Sequence, residues 1–176
     1  MKALKIVGGV VGGLVAVVLI AGFASPAEYH SERSITIDAP VEIVFEHVQD
    51  LEKNQVWSPW VEKDPTIKPT YAQTKVGLGA SYTWTSEDSG NGKLTIASLE
   101  PNKSIKTDLD FDGTKATGLW DFESSADGKS VKVTWGIEGD SGMNPISRIF
   151  GAMIDGMVGP DFERGLANLK KVSEAA

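Results

Sequence analysis

The stretch ATGLWDFES at residues 116–124 alternates apolar and polar side chains, with Trp120 and Phe122 on one face of a strand and two acidic residues on the other. The stretch SVKVTWGIEG at residues 130–139 has the same period of two. The turn sequence Asp127-Gly128 stands between them. Together they predict a β-hairpin with one apolar face and one solvated face.

The same alternation extends backwards along the chain and predicts further hairpins. Each predicted strand is bounded by turn residues such as Pro101-Asn102 and Asp112-Gly113. The predicted strands cover residues 30–38, 66–73, 80–86, 93–99, 104–111, 116–124 and 130–139. Consecutive hairpins of this kind predict an antiparallel meander with one strongly apolar face.

Helical patterns flank the predicted sheet. Asp38-Ala39-Pro40 indicates a helix start with a capping carboxylate, and apolar residues at helical spacing then predict an amphipathic helix of about 11 residues from Val41. Residues 54–60 predict a short helical turn. Asn144-Pro145 begins a long C-terminal amphipathic segment in which Pro160 either kinks the helix or starts a second one.

The N-terminal segment is apolar over a long run. No ionisable side chain lies between Lys5 and Glu28, and residues 6–24 are long enough as a helix to cross a bilayer. Lys2 and Lys5 precede the run, which predicts a cytoplasmic N-terminus and a domain on the outer side of the membrane. The alternative is a signal peptide that is cleaved to release a secreted protein. We therefore divide the chain into an anchor or signal segment, 1–27, and one domain, 28–176.

Charge and composition exclude some function classes. The formal net charge is -7, and all of the acidic residues lie after residue 27. Phosphate backbones repel such a surface, so nucleic acid is not an expected partner. The sequence has no cysteine, which excludes disulfides and thiolate catalysis.

Few residues suggest catalysis or metal binding. The two histidines, His30 and His47, are 17 positions apart and are expected to be exposed or structural. Gly77-Leu78-Gly79 precedes a strand, so it predicts a backbone bend and not a nucleotide-binding loop. No cofactor, metal site or catalytic residue is predicted.

Several segments resemble one known family. ERSITIDAPVEIVF at residues 32–45, WSPW at 57–60, GLGASYTW at 77–84 and FERGLANLK at 162–170 are similar to polyketide cyclase/dehydrase and lipid-transport proteins of the SRPBCC, or START-like, superfamily. The resemblance implies an α+β helix-grip fold. In that fold a curved antiparallel sheet of about seven strands wraps around a long C-terminal helix and encloses a hydrophobic cavity.

The aromatic residues and methionines are the candidate ligand-binding side chains. Such residues are typical both of a packed core and of the wall of an apolar pocket with a few polar groups. The candidates are Trp57, Trp60, Tyr82, Trp84, Phe111, Trp120, Trp135, Phe150, Met153 and Met157.

Three function hypotheses follow. The leading one is a membrane-tethered domain that binds or transports a hydrophobic small molecule or lipid in an internal cavity. The second is a polyketide cyclase- or dehydratase-like enzyme, which requires a titratable group inside the cavity. The third is a protein-interaction module at the membrane surface, which a filled interior with a large exposed apolar patch would favour.

Overall fold

The computed structural model describes the backbone of residues 2–176 and the side chains of residues 12–14 and 16–176. Helices stand near both ends of the chain, and most of the strands follow one another in a single run between them. In chain order the elements are α1 (Lys2–Ala24), β1 (Glu28–Ile37), α2 (Val41–Gln49), α3 (Leu51–Trp57), α4 (Pro59–Lys63), β2 (Lys68–Tyr71), β3 (Ser81–Thr85), β4 (Gly92–Glu100), β5 (Ser104–Phe111), β6 (Thr114–Ser124), β7 (Val131–Asp140) and α5 (Pro145–Ser173).

The strands form one antiparallel sheet in the order β1-β7-β6-β5-β4-β3-β2. The meander from β2 to β7 is therefore confirmed, and β1 closes the far edge by pairing with β7. The predicted strand 66–73 is shorter in the structure, because Thr66 is held by hydrogen bonds to the carboxylate of Asp64. Pro69 is tolerated because β2 is an edge strand.

Helix α5 lies across the apolar face of the curved sheet and completes the predicted helix-grip architecture. Its C-terminal half buries Leu166 and Leu169 against the sheet. Phe45 of α2 packs edge-on against Phe122 of β6, with ring centroids 5.1 Å apart. The hydrophobic core thus lies between α2, the C-terminal half of α5 and one end of the strands.

Two expectations for the first helix of the domain are wrong. The helix ends at Gln49 because Asp50 caps a new helix, α3, through hydrogen bonds from the backbone N–H groups of Glu52 and Lys53. The residue that precedes α2 is Pro40, and no side chain caps it. The carboxylate of Asp38 is instead 3.6 Å from Lys170 of α5.

The predicted start of the C-terminal helix is confirmed, and the structure decides between the two alternatives for Pro160. The side chain of Asn144 accepts hydrogen bonds from the N–H groups of Ile146 and Ser147, at 2.9 and 3.3 Å. Pro160 lies inside a single helix and does not begin a second one. One continuous helix therefore spans both the core and the open end of the sheet.

The predicted membrane-inserting segment is not supported by the structure. Its backbone is helical, but the side chains of residues 1–11 and of Val15 lie outside the described residues. In the part of the chain that is described, no helix has both the length and the apolarity needed to cross a bilayer. The end of α1 touches the start of α5, because a Cβ at Gly22 would stand 2.3 Å from the carbonyl oxygen of Pro145.

Candidate ligand-binding cavity

A cavity of about 840 Å³ lies between the sheet and α5. Its position follows from the four inward-facing residues of β6. Trp120 and Phe122 fill the core at one end of the strand, whereas Ala116 and Gly118 leave space at the other. The interior is therefore packed in one half and open in the other.

Four aromatic rings form the closed end of the cavity. Trp120 stacks on Trp135 with ring centroids 4.5 Å apart, and Trp135 stacks on Phe162 of α5 at 4.4 Å. Trp57 packs edge-on against both tryptophans, at 5.6 and 5.7 Å. Such pairs add stability beyond their burial, so this end of the cavity is rigid.

One row of residues crosses four strands and forms the floor. In the register of the sheet, Thr107 is opposite Ile96 on one side and Gly118 on the other, and Gly118 is opposite Ile137. A Cβ at Gly118 would stand 2.4 Å from the hydroxyl oxygen of Thr107. The Thr107 hydroxyl therefore occupies the space above Gly118, on the cavity side of the sheet.

A second aromatic series crosses β2 to β5, and all of its members except Tyr71 line the cavity. Tyr71, Tyr82, Trp84 and Phe111 follow one another with centroid separations of 5.7, 5.9 and 5.6 Å. Burial, with a smaller contribution from Tyr71, raises the pKa of Tyr82 to about 12. Tyr82 is thus a protonated, uncharged residue of the cavity wall.

The mouth of the cavity lies near the start of α5. Tyr29 of β1 stands between strand and helix, where Gly139 and Gly151 make room for its ring. Phe150 of α5 also lines the mouth and is 57% exposed. Charged residues of the cavity wall occupy exposed positions, namely Lys63, Lys115 and Asp140.

An ion-pair cluster holds α5 over the open half of the sheet. Arg33 of β1 donates to Asp155 at 2.7 Å and to Glu163 at 2.8 Å, and the buried Ser31 hydroxyl donates to Asp155 at 2.8 Å. Arg33 and Ser31 hold the pKa of Asp155 down, at about 2. The guanidinium lies against Gly159, where a Cβ would stand 2.2 Å from a guanidinium nitrogen.

A buried carboxylate fastens the loop after β3 near the cavity. Asp64 is 4% exposed and accepts hydrogen bonds from the hydroxyls of Thr66 and Ser89, both at 2.6 Å, and of Ser86. The hydroxyls hold the pKa of this carboxyl well below its usual range. Ser89 is also part of the cavity wall, so the Asp64 cluster fixes that part of the wall.

The sequence and fold now identify the family. A family model described as polyketide cyclase/dehydrase and lipid transport matches residues 29–174. The chain belongs to this family. A search of curated proteins finds no match.

Solved structures show the same fold at low sequence identity. An aromatase/cyclase, Zhui, from a Streptomyces species is similar over 84% of this chain and 94% of its own, with 15% identity and a TM-score of 0.58. A protein from Thermobifida fusca matches over 83% of this chain and 93% of its own, with 17% identity and a TM-score of 0.61. DynU16, a protein in the dynemicin biosynthetic locus, matches over 81% of this chain but 46% of its own, with 15% identity and a TM-score of 0.55.

In this polyketide cyclase/dehydrase family member, nine of the ten predicted ligand-binding residues line the cavity. They are Trp57, Trp60, Tyr82, Trp84, Phe111, Trp120, Trp135, Phe150 and Met157. Met153 lies outside the wall and is 56% exposed. Their contact with a ligand stays a prediction.

The Trp57 indole and the two histidines do not provide free polar groups in the cavity. The indole N–H of Trp57 donates to the backbone carbonyl of His47 at 3.1 Å, so it is not available to a ligand. His30 is bound to Glu32 at 3.0 Å, and neither histidine lines the cavity. Burial and the nearby Lys53 lower the pKa of His47. Histidine chemistry in this cavity is therefore not supported.

Sequence reasoning missed the small and polar residues that shape the cavity. Ala116 and Gly118 share the strand face of Trp120, and that alternation was visible in the sequence as small residues at inward positions. Thr107 follows Ile105 on the inward face of β5 by the same rule. Tyr29 lies just before the predicted strand 30–38, because a strand start beside an apolar segment has no sharp signal.

Proposed function

We propose that this protein binds a hydrophobic small molecule or lipid in the cavity and has no catalytic centre of its own. The observation that carries the proposal is the cavity of about 840 Å³ between Trp120 and the mouth at Phe150. Its size lies in the range of roughly 300–1,000 Å³ that is typical of small-molecule sites. Its walls are mostly aromatic and aliphatic, and its charged residues stand at exposed positions.

The driving force would be burial of apolar surface. A ligand that loses about 300 Å² of apolar surface to the cavity gains up to about 7 kcal/mol before ordering costs. The rigid aromatic end limits those costs on the protein side, because its rings are already packed before a ligand arrives. A neutral, apolar ligand therefore suits this site.

The proposal is tested by filling the open half of the cavity. Ala116→Phe adds a ring at an inward position of β6, and it is expected to weaken binding of the fluorescent probe N-phenylnaphthylamine at least about tenfold. The matched control is Ala126→Phe, which adds the same ring at an exposed turn position. Equal probe binding by both variants, or no binding by the unaltered protein, would contradict the proposal.

An enzyme of the cyclase or dehydratase kind is the second candidate. Family membership and the aromatase/cyclase among similar structures favour it. Such a reaction needs a group that moves protons inside the cavity. Among the described residues, the titratable side chains that line the cavity away from exposed positions are Tyr29 and Tyr82, and burial raises the pKa of both, which suits them to donate hydrogen bonds rather than to act as bases. Binding without chemistry is thus the better-supported function.

A protein-interaction module is the weaker third candidate. It was expected to have a filled interior, and the interior is open beside Gly118. Two of the exposed apolar residues in the first half of α5, Phe150 and Met157, also line the cavity. A ligand entrance accounts for the exposure of these two residues without a protein partner.

We also propose that α1 tethers the domain to a membrane, with the domain on the outer side. The charge pattern around residues 6–24 supports this orientation. Described apolar side chains of α1 are exposed, among them Leu14, Val17, Ile20 and Phe23. An apolar surface of this kind needs a partner medium such as lipid.

A further inference from the structure

One polar group stands in the otherwise apolar floor of the cavity. Thr107 is 6% exposed, and its neighbours across the sheet are Ile96 and Gly118. No side-chain hydrogen bond of the described residues uses its hydroxyl, and the oxygen is not among the fully buried atoms, so it remains open to the cavity. Because the oxygen takes the place of a Cβ at Gly118, it points from the sheet into the cavity.

The hydroxyl matters when a ligand fills the cavity. Valine has nearly the same shape as threonine and would fill the same space without a polar atom. A ligand that displaces water from the hydroxyl without bonding to it leaves a buried polar group without a partner, and this weakens binding. A ligand that bonds to the hydroxyl avoids that loss.

The surrounding charges limit what that partner is. No charged side chain among the described residues lies on the floor row, and the charged residues Lys63, Lys115 and Asp140 stand at exposed positions of the cavity wall. An ionised group on the ligand would be desolvated there without a counter-charge. A neutral carbonyl or hydroxyl satisfies Thr107 without that penalty.

We propose that the Thr107 hydroxyl is the polar anchor of the cavity, and that the ligand is a largely apolar, uncharged molecule with a carbonyl or hydroxyl group at the Thr107 end. This inference rests on the proposed function, because it names the ligand class of the same site. Gly118 is part of the anchor, since any larger residue there would take the space of the hydroxyl.

The test compares two probes of nearly equal shape, fluorene and fluorenone, in the full-length protein. Quenching of the intrinsic tryptophan fluorescence reports their binding. Thr107→Val is expected to weaken fluorenone binding about three- to tenfold, because it removes one neutral hydrogen bond, and to change fluorene binding less than about twofold. Thr107→Ser keeps the hydroxyl and is expected to retain most of the preference for fluorenone.

The outcomes separate this inference from the proposed function. If both probes bind the unaltered protein and Thr107→Val weakens neither, or weakens both equally, the anchor is wrong and cavity binding stands. If neither probe binds the unaltered protein, cavity binding fails and the anchor fails with it. If Thr107→Val does not fold, as judged by circular dichroism, the same comparison is made with Thr107→Ala, for which the same selective loss of fluorenone binding is expected.

Discussion

At the scale of single residues, the cavity depends on side chains that are small. The sequence predicted the large aromatic residues of the wall, because rings on alternating strand positions are easily read as one face. It did not predict the space beside Ala116 and Gly118, since a small residue at an inward position does not reveal whether a neighbouring side chain fills the space. Thr107 was missed for a related reason, because a threonine in a strand usually indicates only β-propensity.

The Arg33 cluster makes a residue-scale prediction about pH. The pKa of Asp155 is lowered to about 2 in the folded protein, below the value of about 4 for an unfolded chain. The carboxylate therefore contributes stability above about pH 4, and the contribution is lost as the pH falls towards about 2. As the pH falls from about 6 to about 3, the urea midpoint of Asp155→Asn is expected to fall less than that of the unaltered protein.

A matched control for Asp155 lies on the other face of the sheet. Glu123→Gln removes a carboxylate that is 3.4 Å from Lys132 and does not contact α5. It is expected to keep the full dependence on pH. An Asp155→Asn protein with the same loss of stability as this control would show that the cluster contributes nothing to acid stability.

At the scale of elements, helix ends were predictable where local chemistry decides them. Asn144 precedes a proline at the first helical position, and that local pair was enough to place the start of α5. Asp38 also has a side-chain oxygen shortly before a proline and could cap a helix. Its backbone N–H instead donates to Glu174, and its carboxylate lies toward Lys170. Tertiary contacts with the end of α5 therefore override the cap, and a single sequence does not reveal them.

The capping hydrogen bonds at Asn144 can be tested by substitution. Asn144→Ala leaves the N–H groups of Ile146 and Ser147 without their acceptor, and it is expected to destabilise the protein by about 1 kcal/mol. Thermal unfolding measures the change. Asn144→Ser retains an acceptor and is expected to stay close to the unaltered protein, so equal destabilisation by both variants would argue against a capping role.

At the scale of the whole molecule, the order of elements determined most of the fold. Six hairpin-connected strands followed by one long apolar-faced helix leave few arrangements in which the helix covers the sheet. The pairing of β1 with β7 joins the two ends of the domain, and no local sequence pattern predicts it. The size of the cavity depends on the sum of many side-chain volumes, which no local pattern reports.

Truncation tests the proposed division of the chain and the tether together. Among the described residues no member of the hydrophobic core precedes Ile35, so a protein of residues 28–176 is expected to fold cooperatively and to bind N-phenylnaphthylamine like the full chain. The full chain is expected in the membrane fraction of cells, and the truncated protein in the soluble fraction. A full chain that fractionates with soluble proteins would contradict the tether. Failure of the truncated protein to fold would show that α1 belongs to the domain.

The change from small to large residues along β6 affects how such a protein diverges over evolution. Substitutions at Ala116 or Gly118 alter the room for a guest, while Trp120 and Phe122 continue to hold the scaffold together. Selection on guest size and selection on folding therefore act on different halves of the same strand. A lineage is free to exchange one guest for another without first losing a stable scaffold.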